Sequence, residues 1–118
     1  MKIENYPLLI QSIKTILHTA ASVCKIQDEP PVNLIVTYQD NHWLAIVFLR
    51  HKHRPDCYFE EGDKKMIISP GTVDMGGIII TPRQEDFDRL NEKIIRGVYH
   101  EVSLPDTIFN GIIHKLRT

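Results

Sequence analysis

Apolar residues recur at steps of three and four from Leu9 through Ile13, Ile16, Leu17 and Ala20 to Cys24, the spacing that gathers side chains on one face of an α-helix. The pattern predicts a helix over residues 6–24, with Asn5 as its N-cap and Pro7 in the first turn, where a missing N–H is no loss. Asp28-Glu29-Pro30-Pro31 ends the pattern, because proline bars helix continuation. From Val32 the period changes to two: Val32, Leu34, Val36 and Tyr38 alternate with Asn33, Ile35 and Thr37, which predicts a strand. Gln39-Asp40-Asn41-His42 supplies turn chemistry, and Trp43 to Leu49 is a continuous apolar run of strand length. An antiparallel hairpin is expected, its second strand covered on both faces.

Beyond a polar stretch from Arg50 to Lys65, Met66–Ser69 and Gly77–Ile80 read as two further strands joined by a turn from Pro70 to Gly76. Thr81-Pro82-Arg83-Gln84 reads as a capping box and opens a helix whose buried stripe is Phe87, Leu90, Ile94, Ile95 and Val98. Ser103 and Pro105, ahead of Ile108, Phe109, Ile112, Ile113 and Leu116, mark a last helix near residues 105–116. The expected fold class is α+β: an antiparallel sheet of about four to five strands with one N-terminal and two C-terminal helices.

Length sharpens this to one domain, residues 1–118, since 118 residues can bury a core without disulfide or metal staples. Fourteen Lys and Arg against fifteen Asp and Glu leave a formal charge of −1, so the chain as a whole has no pull on nucleic acid or on an anionic membrane. Its apolar runs fall far short of the roughly 20 residues that span a bilayer, and Met1-Lys2-Ile3-Glu4-Asn5 lacks the layout of a secretory signal. Cys24 and Cys57 lie in unlike contexts without a CxxC spacing, which points to a reduced, cytoplasmic setting.

Candidate chemistry concentrates after the second strand. Arg50, Lys52, His53 and Arg54 are the dense positive cluster of the chain, and with Trp43 and Tyr58 they offer phosphate pairing and base stacking to a nucleotide. The bland alternative is a charged strand end that discourages edge pairing. His51 and His53, two apart on an extended chain, with Cys57 behind them, carry the atom types of a zinc or copper site; the alternative is a solvated basic strand end. Gly76 and Gly77, at the end of a turn that Gly71 opens, allow close approach of backbone to a phosphate or to a packed element, without a P-loop or a dinucleotide fingerprint. No catalytic residue is assigned, because no histidine here stands as a nucleophile with an orienting partner.

The stretch His42-Trp43-Leu44-Ala45-Ile46-Val47-Phe48-Leu49-Arg50, followed by Ile68-Ser69-Pro70-Gly71 and Asp74-Met75-Gly76-Gly77-Ile78-Ile79-Ile80-Thr81-Pro82, resembles the C-terminal half of the histidine-triad-like nucleotidyltransferases and phosphorylases. That group contains diadenosine tetraphosphate phosphorylase, GDP-galactose phosphorylase and galactose-1-phosphate uridylyltransferase. Its catalytic motif alternates histidine with apolar residues in the N-terminal half; here His51 and His53 alternate with Lys52 and Arg54, and Pro55 interrupts the strand. The resemblance implies a histidine-triad-like C-terminal domain, part of a longer enzyme or standing alone, which adds packing and contacts to a nucleotide or sugar phosphate but not the catalytic histidine. It also implies pairing, as a homodimer or with an N-terminal partner domain. The alternative is a non-enzymatic small protein that binds a metal or a protein partner through the His51–Cys57 loop.

Overall fold

The computed structural model describes residues 2–118; Met1, the first residue of the expected domain, lies outside the described residues. In chain order the elements are β1 (Lys2–Ile3), α1 (Tyr6–Cys24), β2 (Val32–Gln39), β3 (His42–Leu49), α2 (Thr72–Met75), α3 (Gln84–Arg89), α4 (Glu92–Val102) and α5 (Asp106–Arg117), with two short 3₁₀ turns between β3 and α2. The class is α+β. Among the described residues no helix is long and apolar enough to cross a membrane.

Asp40 and Asn41 set the register of the sheet. Both take positive φ, 54° and 61°, the type I′ geometry whose twist matches that of the strands it joins. Pairing runs without a break from Gln39 opposite His42 to Val32 opposite Leu49, and Ile3 in β1 pairs with Trp43 on the other side of β3. The strand order is therefore β1-β3-β2, which leaves β2 as an edge.

Asn5 caps α1 as expected, its side chain accepting the Leu8 N–H at 2.8 Å, and Lys25 closes the helix in the left-handed region. Leu9 and Ile13 pack on Ile3, Trp43 and Ala45. Two turns further on, Ile16 and Ala20 meet Leu49 of β3 and Ile112 of α5. The opposite face of the sheet receives α2, where Asn33 Nδ2 donates to Thr72 Oγ1 at 3.2 Å and Gly76 sits against Ile35.

Two of the four predicted strands do not form and β1 adds one that was not predicted, so the sheet has three strands rather than four or five. Met66–Ser69 and Gly77–Ile80 join no ladder. A carboxylate occupies an amide of each instead: Asp86 Oδ2 accepts the Ile67 N–H and Asp74 Oδ2 the Ile80 N–H, while Asp74 Oδ1 accepts the Gly71 N–H in the turn between them, each at 3.0 Å. An amide spent on a side chain is lost to strand pairing.

The single helix predicted from Thr81 is two. Leu90 is extended (φ −62°, ψ 137°), and Asn91 restarts the helix by accepting the Ile94 N–H at 2.8 Å. Thr81 does not cap it: its Oγ1 is buried with no hydrogen-bond partner, and the N-cap position falls to Arg83. Within α3 the buried side chain is Asp86, not Phe87, which is 64% exposed. Asp86 is gripped by Arg83 Nε and Nη2 at 2.8 and 2.9 Å and by Arg89 Nη2 at 2.7 Å, a set that satisfies a carboxylate away from water. These bonds hold its pKa well below the usual carboxylate range, Arg83 contributing most. A third small core, Met66, Ile68 and Val98 with Cys57, Ile79, Leu90 and Ile94, sits between α4 and this segment.

The molecule is flat, 48 × 35 × 22 Å, with a radius of gyration of 16.4 Å, against about 13 to 14 Å for a compact chain of this length.

Candidate functional site

Arg50 leaves the end of β3, bridges to Ser103, and turns its side chain inward until the residue is 2% exposed. Its five guanidinium N–H groups each have an acceptor: Nε donates to Val102 O at 3.3 Å, Nη1 to Pro70 O at 2.8 Å and to Asn33 Oδ1, and Nη2 to Lys52 O at 3.1 Å and His53 O at 3.0 Å. Burial lowers its pKa and nearby Asp74 opposes that shift, but arginine remains charged throughout. One side chain thus fastens β2, the Pro70 turn, the C-terminus of α4 and the carbonyls of residues 52 and 53.

The segment after Arg50 is held from its other side by Glu101 of α4. Glu101 Oε2 accepts the Asp56 N–H and the Lys52 ammonium, each at 2.6 Å, and Lys52 Nζ also reaches Asp56 Oδ1 at 2.8 Å. Hydrogen bonds to Asp56 and then to Glu101 raise the Lys52 pKa. Pro55 is fully buried beneath the loop. A polar stretch that composition alone would leave mobile is fixed at both flanks.

On this frame Arg54 is exposed and lays its guanidinium on the Tyr58 ring, 4.3 Å from the centroid, within cation–π range. Tyr58 meets Phe59 edge-on at 5.2 Å, and Phe59 is 67% exposed. Lys52, His53, Arg54, Asp56 and Phe59 line an open groove of about 530 Å³.

The structure brings together Lys52, His53 and Arg54 and separates the other candidates. Trp43 stands at the far end of β3, packed between Tyr6 at 5.7 Å and Tyr38 at 4.8 Å. Gly76 and Gly77 close α2: a Cβ on Gly76 would come to a tight 3.3 Å from Ile35 Cδ1, and Gly77 holds φ 119°, so close packing at the one and the turn at the other favour glycine. His51 is exposed, and Cys57 packs against Met66, Ile68 and Val98, where burial pushes its thiol pKa up. Among the described residues no group of three or more His, Cys, Asp or Glu side chains gathers as a metal-ligand set.

Sequence reasoning passed over Glu101, Phe59, Asn33 and Asp74. Phe59 carried a local signal, an aromatic beside Tyr58 in an otherwise polar stretch. Glu101 and Asn33 act across 45 and 17 residues of chain, and no local pattern encodes that reach.

The family model described as GDPGP1-like, C-terminal domain, matches residues 2–117. No curated protein and no solved structure matches the chain.

Proposed function

Since the chain belongs to the GDPGP1-like C-terminal domain family, we propose that it serves as the accessory domain of a histidine-triad-like transferase or phosphorylase acting on nucleotides or sugar nucleotides. It supplies packing surface and phosphate contacts, while the catalytic histidine comes from an N-terminal partner domain. The family match over residues 2–117 carries this reading, and it agrees with the resemblance of the Trp43-led strand to the C-terminal half of GDP-galactose phosphorylase-type proteins.

Geometry divides the labour among the basic residues. Arg50 positions the loop from beneath, with every donor engaged. Arg54 faces the groove and meets the anion, while Lys52, which lines the same groove, is paired with Asp56 and Glu101. The flat shape and the apolar side chains left on the β2 edge, among them Leu34, Val36 and Tyr38, support a packing role, because a lone domain gains by covering such surface.

The test is turnover by the isolated chain. Diadenosine tetraphosphate and sugar nucleotides should remain intact, because on this reading the nucleophilic histidine lies in the partner domain. Robust turnover that disappears in His51→Ala or His53→Ala would overturn the proposal.

A further inference from the structure

The chain leaves the sheet layer and rejoins it at one place. It departs at His51 and returns at Ser103, and the two ends are tied to each other. Arg50 bridges to Ser103, the His51 N–H donates to Val102 O at 2.7 Å, and the Leu104 N–H donates to Leu49 O at 3.4 Å. Residues 51–102 are therefore an excursion from a scaffold of β1, α1, β2, β3 and α5. The apolar cores divide along the same line. Ile3, Leu9 and Ala45, like Ala20, Leu49 and Ile112, gather with neighbours drawn from the scaffold. Met66, Ile68 and Val98 gather with Cys57, Ile79, Leu90 and Ile94, all from the excursion. Among the described residues every ion pair lies within residues 52–101. Each body holds itself together.

The seam between them is of another kind. Asn33 Nδ2 donates to Thr72 Oγ1 at 3.2 Å, Arg50 Nη1 donates to Pro70 O at 2.8 Å, and Gly76 rests against Ile35. Beside these contacts lies a cleft of about 300 Å³, lined by Phe48 and Phe109 of the scaffold and by Met75 of the excursion. Apolar side chains along a cleft lack the close partners of a packed core. Two bodies joined by polar contacts and a cleft, rather than by a broad apolar interface, move relative to one another by default.

We propose that residues 51–102 are a hinged lobe that swings as one body on the Arg50–Ser103 crossing, held shut by a latch of Asn33 on Thr72 and Arg50 on Pro70. The crossing suits a hinge, because a short backbone pairing confines the change in dihedral angles to the residues at its two ends. The groove travels with the lobe, since Lys52, His53, Arg54, Asp56 and Phe59 all belong to it. The bonds from Arg50 to the carbonyls of Lys52 and His53 lie at the pivot and persist. Swinging changes the distance from the groove to anything held on the sheet and leaves the groove's own shape intact. No ligand or partner is needed for the motion.

Residual dipolar couplings measured on the full chain test it. Amides of residues 51–102 should fit one alignment tensor of their own. Its magnitude relative to the scaffold tensor should fall in Thr72→Ala, which removes one half of the latch, and further in Asn33→Ala, which also takes an acceptor from Arg50. Thr72 is exposed in the first turn of α2, a position where alanine favours the helix, so that variant keeps the fold. A relative magnitude that neither substitution lowers would overturn the latch and the hinge with it. Couplings from residues 51–102 that fit no single tensor would overturn the proposal as well, because the lobe would not be one body.

Discussion

The Arg50 guanidinium donates to the Pro70 carbonyl at 2.8 Å, joining two points twenty residues apart in the chain. Between them lies the whole segment that carries the groove. Arg50 sets both the start of that segment, through the carbonyls of residues 52 and 53, and its exit into the turn before α2.

A lysine cannot replace it. Lysine keeps the charge but has three donors on a single atom, so at least two of the five acceptors lose their partner inside the protein. Arg50→Lys should cost about 3 kcal/mol, in line with breaking a buried charged network. At this chain length that is a fall in Tm of roughly 10 °C or more. Calorimetric unfolding reads the result, and a Tm within a degree or two of the parent would show that Arg50 does not organise the loop.

Acid stability should depend on Asp86. Its pKa is depressed in the folded chain by Arg83, Arg89 and the Ile67 amide, and it returns to about 4 on unfolding. The stabilisation is therefore complete above about pH 4 and is lost as pH falls from there toward the depressed folded value. Asp86→Asn should cost about 2 kcal/mol at pH 7, and the gap between parent and variant should narrow on going to pH 3. Urea unfolding at the two pH values measures both quantities; a gap that is constant with pH would remove the carboxylate from the account.

How much of this was written locally can be judged residue by residue. Asn5, Pro7 and the three-and-four spacing up to Cys24 located α1, and the turn chemistry around Asp40-Asn41 between an alternating and a continuous apolar run located the hairpin, because both elements are decided by neighbours in sequence. Ile67 and Ile80 misled for the same reason in reverse. Their local pattern is that of strands, but the acceptors of their amides, Asp86 and Asp74, are side chains that no periodicity reveals. Thr81 and Pro82 gave a capping signal overruled by Arg83, whose tie to Asp86 begins the helix later. The basic cluster after β3 was legible as a cluster. Its division into an inward Arg50, a compensated Lys52 and a free Arg54 was not, since burial is a property of the assembled fold.

The edge of the sheet supplies the last expected outcome. Val32–Gln39 contains no charged residue, and unprotected edges of this length pair with another chain. In the absence of a partner domain the isolated chain should self-associate, and Val36→Lys should return it to monomer. Sedimentation equilibrium decides: a parent chain that is monomeric at high concentration and binds no apolar dye would remove the need for any partner.

The carboxylate anchors of residues 66–80 bear on how the protein comes apart. A ladder strand leaves a sheet only by disrupting its neighbours, whereas this segment, braced internally by Asp74 on Gly71 and Ile80, is attached through separate points: Ile67 to Asp86, Pro70 to Arg50, Thr72 to Asn33, and the Asp74 carbonyl to the Tyr99 hydroxyl. Such a segment opens as its own cooperative unit, beneath the global unfolding free energy. Amide exchange along it would then report a partial opening in which the hairpin and α1 stay closed. The groove, clamped to Pro70 through Arg50, would sense that opening long before the sheet does.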